Sequence, residues 1–205
     1  MNIHYPSDSE LLRGEIAILA ARMIAEDGAD YGSAKRKAAK QILGDAKPRG
    51  DILPDNAQIE EEVRIYNALF FGDEQPVRLA HLRTLALQIM SDLQIFRPHL
   101  TGAVLNGSAG EHADIHLQLF VDSPKEVEIW LMNKNIQFEV SETAHFKGRH
   151  FDAVETVSFM WHHEGVHLAL YQTDDLRGAV KTSSARVERA DLNAVRRLIQ
   201  ENETP

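Results

Sequence analysis

The first half of the chain carries hydrophobic residues at helical spacing. One apolar stripe predicts a helix that is capped by Ser7 or Asp8 and ends at Gly28. A thinner stripe predicts a second helix that begins after Ser33 and ends at Gly44. Both segments carry polar residues on the opposite side, as expected for helices that bury one face.

Two further helices are predicted before Pro98. The third begins near Asp55 and ends at Gly72, and the fourth, over residues 79–93, has the broadest apolar face. Pro98 closes the fourth helix because proline and the residue before it disfavour helical backbone. We therefore expect residues 1–97 to form a helical module.

After Pro98 the spacing of hydrophobic residues becomes alternating, which is typical of strands. The run at 103–105 predicts a strand that ends in the turn Asn106-Gly107-Ser108, and residues 114–121 predict a second strand. The remaining pattern predicts a helix over 125–134, a strand over 136–140, a hairpin of strands 156–161 and 166–171 around residues 163–165, and a final helix over 189–200. The predicted fold class is α+β, with residues 98–205 forming a mixed sheet flanked by helices.

Composition narrows the classes of protein that fit this pattern. Hydrophobic residues make up 43% of the 205 residues and charged residues 26%, so a packed globular core is expected. The net charge of -9 argues against a general electrostatic grip on nucleic acid, although a local basic patch can still bind it. The absence of cysteine excludes disulfides and thiol catalysis. No leader-like segment or membrane-length apolar run is present, so we expect a cytoplasmic protein without a membrane partner.

Three short segments after residue 101 stand out in this order of elements, namely Gly107-Ser108, Asp114-Ile115-His116 and Glu139. Through them this part of the chain resembles the nucleotidyltransferases of the polymerase-β type. In that family a strand ends in Gly-Gly or Gly-Ser, the next strand carries two acidic residues, and a later strand carries a third. The resemblance implies that Gly107 and Ser108 bind a nucleoside triphosphate. It also implies that Asp114, His116 and Glu139 form the catalytic metal site.

The chemistry of such a site depends on carboxylates that share one face. Residues i and i+2 on a strand point the same way, and carboxylate oxygens hold the Mg²⁺ ions that stabilise phosphate transfer. Here His116 stands in the position of the second carboxylate. The expected divalent metal is therefore Mg²⁺ or Mn²⁺, or a transition metal because imidazole prefers those ions.

Two further histidines belong to this hypothesis. His112 lies two residues before Asp114, so on one extended strand it becomes an additional metal ligand. His167 stands on a late predicted strand, where some relatives place their third carboxylate. The alternative interpretation makes His112 an exposed loop residue, His116 a hydrogen-bonded remnant of a lost site, and the cluster of His162, His163 and His167 a solvated hairpin end.

A longer resemblance covers nearly the full length of the chain. The segments 111–120, 125–129 and 165–171 are similar to a group of uncharacterised proteobacterial proteins that are classed as nucleotidyltransferase-like. Some of those proteins carry the name UDP-N-acetylmuramate–alanine ligase. Such ligases use a Gly-x-x-Gly-Lys-Thr/Ser type of loop for ATP, and this chain has no loop of that spacing.

A basic segment suggests a different class of function. The helix before Gly28 is similar to the opening helix of TetR-type repressors, and Lys35, Arg36 and Lys37 add positive charge soon after it. No recognition helix follows at the expected place, so this run is either a solvated helix face or a small patch for RNA or phosphate.

Three functional hypotheses follow from these residues. The first is a nucleotidyltransferase-like protein with an altered metal-dependent transfer site. The second is a catalytically inactive protein that binds a nucleotide or a partner protein. The third is a nucleic-acid-associated protein that uses the basic helix at residues 35–40.

Overall fold

The α+β class predicted from the sequence is confirmed in the computed structural model, which describes residues 7–44, 46, 50–148, 150–176 and 189–203. The chain divides into two compact units. One comprises the chain up to Pro76 together with Gly110–His112, and the other comprises Val77–Ala109 and the chain from Ala113 onward. In the described ranges, no helix is both long enough and apolar enough to cross a membrane.

The described part of the first unit contains three α-helices, α1 (Asp8–Asp27), α2 (Tyr31–Leu43) and α3 (Asn56–Phe70). Ser7 caps α1, and the side chain of Glu10 returns to the backbone of Ser7 in a reciprocal capping box. The helices pack closely because most of their contact residues are small. The buried members are Ile16, Ala17, Ala20, Ala21, Ala34, Ala38, Ala39, Ile59 and Val63.

Local capping explains where these helices begin and end. Gly28 ends α1 in the left-handed conformation, with a φ of 66°, as the sequence predicts. The second helix begins earlier than predicted, at Tyr31, because the side chain of Asp30 accepts a hydrogen bond from the backbone N–H of Ser33. Asp55 caps α3 in the same way, which confirms the predicted start.

In the residues that the structure describes, the second unit contains a six-stranded mixed sheet and four α-helices. The strands lie in the order β3-β4-β5-β2-β1-β6; β2 and β5 are parallel, and every other neighbouring pair is antiparallel. The strands are β1 (His99–Thr101), β2 (Ile115–Val121), β3 (Glu139–Thr143), β4 (Val154–Trp161), β5 (Glu164–Gln172) and β6 (Ala190–Asp191). The helices are α4 (Glu74–Asp92), α5 (Gly102–Asn106), α6 (Pro124–Asn133) and α7 (Leu192–Glu203).

One face of this sheet carries the main hydrophobic core. Alternate residues of β2 and β5 point into it and pack against α4, α6 and α7. Its buried members include Leu82, Ile89, Ile115, Leu117, Leu119, Val127, Leu131, Val166, Leu168, Leu170 and Val195. The opposite face is covered at one end by a smaller cluster of Phe120, Val154 and Tyr171, on which Phe146 packs. The other end of that face is polar.

Three predictions about this unit were wrong in detail. Residues 103–105 form part of the helix α5, because Gly102 turns the chain with a φ of 71° directly after Thr101. Arg83 then donates hydrogen bonds to carbonyl oxygens of α5. The strand predicted over 136–140 begins only at Glu139, and the hairpin turn consists of residues 162–163.

The fourth helix packs with the sheet. The predicted helical module of residues 1–97 includes this helix, but Leu82 and Ile89 of α4 lie in the same buried cluster as Leu117 of β2. From Val77 onward α4 therefore belongs to the second compact unit. Its broad apolar face is matched by the apolar face of a sheet, which explains why it is wider than the stripes on α1 and α2.

A cluster of carboxylates on this unit provides a test of the packing. Glu155 lies directly opposite Glu142 on the neighbouring strand, and burial and the adjacent Glu128 raise the pKa of Glu155 above 4.5. A raised pKa means that ionised Glu155 destabilises the folded state once the pH exceeds the unfolded value. We expect E155Q to raise the melting temperature at pH 7 by about 1–3 °C, and to have no stabilising effect near pH 3.5. E201Q, on an exposed residue of α7, is the control, and equal shifts in both variants would contradict this account.

Candidate active site

Four polar side chains gather on the sheet face opposite the main core. Asp114 directly precedes β2 and His116 lies two residues later, so both point to this face. His116 is paired with His167 of β5, and His167 is paired with Ser158 of β4. Because paired residues of neighbouring strands project to the same side, the register of three strands brings these side chains together.

A chain of hydrogen bonds connects three of these residues. The Nε2 atom of His167 lies 3.0 Å from Oδ2 of Asp114, and Nδ1 of His167 lies 2.8 Å from Oγ of Ser158. An ionised carboxylate only accepts hydrogen bonds, so Nε2 carries the proton. In a neutral imidazole Nδ1 is then the acceptor, and the Ser158 hydroxyl donates to it. We call this set of Asp114, His167 and Ser158 the relay.

Gly165 makes room for the carboxylate of the relay. A Cβ atom at Gly165 would overlap Oδ1 of Asp114 and would lie 2.6 Å from its Cγ. No side chain fits at this position while Asp114 keeps its place, so the glycine is required by close approach. Gly165 lies two residues before His167 on the same face of β5. The space left by its missing side chain therefore lets the Asp114 carboxylate approach the imidazole of His167 closely enough to form the hydrogen bond.

His116 stacks on the relay without a hydrogen bond to it. The rings of His116 and His167 are nearly parallel, with an interplanar angle of 17° and centroids 4.7 Å apart. His116 is exposed to solvent, but the protein atoms around its ring still desolvate it, and His167 disfavours a second positive charge. Together they lower the pKa of His116 to about 4, against a smaller opposing effect of Asp114. His116 is therefore neutral at physiological pH.

An ion pair fixes the start of β5 beside the relay. Glu164 is paired through both carboxylate oxygens with the guanidinium of Arg78 on α4, one of the two contacts being 2.7 Å. His81 lies 3.4 Å from the same carboxylate. The hydrogen bond from Arg78 lowers the pKa of Glu164, so the carboxylate stays ionised. This pair ties Gly165, the next residue, to the helix layer.

Glu139 does not lie beside the other predicted metal ligands. It is exposed at the start of β3, and β4 and β5 separate that strand from β2. With neighbouring strands about 4.8 Å apart, the backbones of Glu139 and His116 are roughly 14 Å apart. In the part of the chain that the structure describes, no three histidine, aspartate or glutamate side chains are arranged to hold one metal ion.

The polar groups of the predicted nucleotide-binding turn form hydrogen bonds with nearby residues of the chain. Gly107 ends α5 with a φ of 88°, and its N–H donates to the carbonyl oxygen of Ala103. The N–H and hydroxyl of Ser108 both donate to Oδ1 of Asn106, at 2.9 and 2.7 Å. The N–H of Ala109 also donates to Ala103. The turn thus acts as a helix cap in this structure, and its role in nucleotide binding stays a prediction.

The remaining candidate residues lie in the first unit. His112 packs against Gly28, where an added Cβ would meet the Cβ of His112 at 2.8 Å. On α2, Lys35 is bonded to Asn56 at 3.3 Å and Arg36 to Ser33 at 3.0 Å, while Lys37 is exposed. These contacts leave both the metal-binding role of His112 and the basic patch as predictions.

Two residues of the site were not identified from the sequence. Ser158 and Gly165 belong to the predicted hairpin, but no motif singled them out. The signal that could have found them is the alternation of β4 and β5, which places Ser158, Gly165 and His167 on the polar face once the strands are paired.

Comparisons with known proteins do not add a family to this description. No protein-family model matches the chain, and no curated protein matches it.

The role of Gly165 can be tested by adding one methyl group. We expect G165A to fold, because the short Asp114 side chain can rotate away, but to lose the hydrogen bond between Asp114 and His167. The loss of a charge-assisted hydrogen bond is partly offset by the better conformational entropy of alanine, so the net cost is about 1 kcal/mol, or roughly 2–4 °C in melting temperature. A crystal structure of the variant would show the rotated carboxylate.

G14A is the matched control for this change, since nothing lies within 4 Å of a Cβ built at Gly14. An Asp114 carboxylate that keeps its contact with His167 in G165A would contradict the close approach described above.

Proposed function

We propose that the chain is a nucleotidyltransferase-like protein whose transfer site has changed from a carboxylate centre to a histidine-based acid–base centre. The observation that carries the proposal is the hydrogen bond between Asp114 and His167 beside the stacked ring of His116. By the resemblance, Asp114, directly before β2, and His116 on β2 correspond to the two carboxylate positions of that family. His167, which is paired with His116 on the neighbouring parallel strand, corresponds to the third.

The donor set does not fit the pair of Mg²⁺ ions that the family implies. Hard ions of this kind need several convergent oxygen ligands, whereas Asp114 is hydrogen-bonded to one imidazole, that of His167, on which His116 stacks, and Glu139 stands on the edge strand. The proposal therefore assigns no step to a metal ion.

The exchange of carboxylates for histidines also changes the charge of the site. Three carboxylates repel a polyphosphate, and metal ions normally neutralise them. With neutral His116 and a single carboxylate at Asp114, that repulsion is smaller. We therefore expect nucleotide binding on this face to depend less on a divalent ion than in the family that the chain resembles.

Binding measurements with and without metal test the proposal. Purified protein is mixed with ATP, CTP, UTP or GTP in EDTA, and separately with Mg²⁺, Mn²⁺ or Zn²⁺, and followed by thermal shift and calorimetry. We expect at least one nucleotide to bind in EDTA. At 100 times its dissociation constant it would stabilise the fold by about 2.7 kcal/mol, or roughly 5–10 °C. D114N and H167Q should reduce this shift, because D114N removes the charge that strengthens the hydrogen bond and orients the imidazole, and H167Q removes the imidazole itself.

H150Q is the control variant, since His150 is an exposed histidine outside the site. The proposal fails if no nucleotide binds under any condition, or if binding is unchanged in D114N and H167Q. Binding that strictly requires Mn²⁺ or Zn²⁺ would also overturn it, in favour of the histidine–carboxylate metal site expected from the sequence.

A further inference from the structure

The relay has a property that nucleotide binding does not use. The Nδ1 atom of His167 lies 2.8 Å from the hydroxyl of Ser158, and its Nε2 atom lies 3.0 Å from Asp114, so the neutral ring with its proton on Nε2 presents a bare Nδ1 to the hydroxyl. A hydroxyl is a weak nucleophile unless a neighbouring base takes its proton as it attacks. The contact between Ser158 and Nδ1 supplies that base at hydrogen-bonding distance.

From this geometry we infer that Ser158 is a nucleophile that takes up tetrahedral phosphorus electrophiles covalently, with His167 as its base and Asp114 as the group that orients His167. Ser158 lies on the polar face of the sheet and is half-buried, so part of the residue remains open to solvent. The inference uses the relay alone and stands apart from the proposed nucleotide function.

The covalent step balances without any further reagent. The Oγ atom of Ser158 attacks phosphorus, the bond from phosphorus to the leaving group breaks, and the leaving group departs with its electron pair. The proton of the hydroxyl passes to Nδ1 of His167. Asp114 stabilises the resulting imidazolium through the hydrogen bond to Nε2. Neutral His116 adds no competing positive charge to the stack.

The position of Ser158 also limits what happens after this step. It lies within β4, which is paired with β3 on one side and β5 on the other, so the backbone N–H groups of that strand are engaged in the ladders. Preorganised N–H donors are usually the largest contribution to fast turnover at a serine. We therefore expect slow, stoichiometric modification of Ser158 instead of rapid turnover.

A fluorophosphonate probe tests the nucleophile directly. The full-length protein is incubated with the probe, and the labelled residue is identified by peptide mass spectrometry. We expect one label per chain at Ser158, with fluoride as the leaving group, and no label at that peptide in S158A. D114N keeps the hydroxyl but disturbs the base, so it should slow labelling at least about tenfold, since general-base assistance usually contributes more than that.

The control is S141A. In the unaltered protein Ser141 lies on the neighbouring strand β3, and its hydroxyl donates to the carbonyl oxygen of Thr156 and not to an imidazole. S141A should be labelled at the same rate as the unaltered protein. The inference is overturned if Ser158 is not labelled, or if D114N is labelled as fast as the unaltered protein while both have the same melting temperature.

A second arm separates this inference from the proposed nucleotide function. The protein is incubated with each nucleoside triphosphate, and its intact mass is measured. A nucleoside monophosphate on Ser158, with release of pyrophosphate, would support both proposals. Probe labelling at Ser158 without nucleotide binding would support the nucleophile and overturn the nucleotide function. Nucleotide binding without probe labelling at Ser158 would support the nucleotide function and overturn the nucleophile.

Discussion

The parallel pairing of β2 with β5 is the constraint on which the second unit depends. Ile115 faces Val166 and Leu117 faces Leu168, so the apolar residues of both strands meet on the side covered by helices. A shift by one residue would move these side chains to the polar face and expose them. The hydrophobic core thereby fixes the register, and the same register places His116 beside His167 on the opposite face. The candidate site is thus a consequence of core packing.

The side chains gathered on this face differ from those of the metal centre that the sequence resemblance implies. A two-metal transfer centre gathers carboxylates, whereas this face gathers one carboxylate, two imidazoles and a hydroxyl. Sets of this composition are used elsewhere for proton transfer and nucleophilic attack, which is the basis of both proposals. Gly165 and the ion pair of Arg78 with Glu164 hold the geometry from the adjoining positions, which gives the relay support on rigid elements.

Local signals in the sequence predicted the elements better than they predicted the site. The cap at Ser7 and the stop at Gly28 follow from interactions within a few residues, so both were correct. The run at 103–105 is apolar enough for a buried strand, but Gly102 and the hydrogen bonds from Arg83 make it helical. Those hydrogen bonds come from a residue about twenty positions away in the chain, and no local pattern reveals them.

The contacts of the relay are equally distant in sequence. Asp114 and His116 could be selected from the sequence because they are two residues apart in a segment predicted to be a strand. Ser158 and Gly165 are recognised as part of the site only when β4, β5 and β2 are paired. Glu139 was grouped with Asp114 by analogy, and the order of the strands separates the two. Strand order and register are set by the whole core, so pairings of this kind escape a reading of single segments.

The protonation state of His167 tests the central claim most directly. Nitrogen-15 NMR of the histidine side chains at neutral pH distinguishes which ring nitrogen carries the proton. The relay requires the proton on Nε2, facing Asp114, and a bare Nδ1 that accepts from Ser158. A neutral ring protonated on Nδ1 would contradict the account, because it would leave Asp114 without its donor and Ser158 without its base.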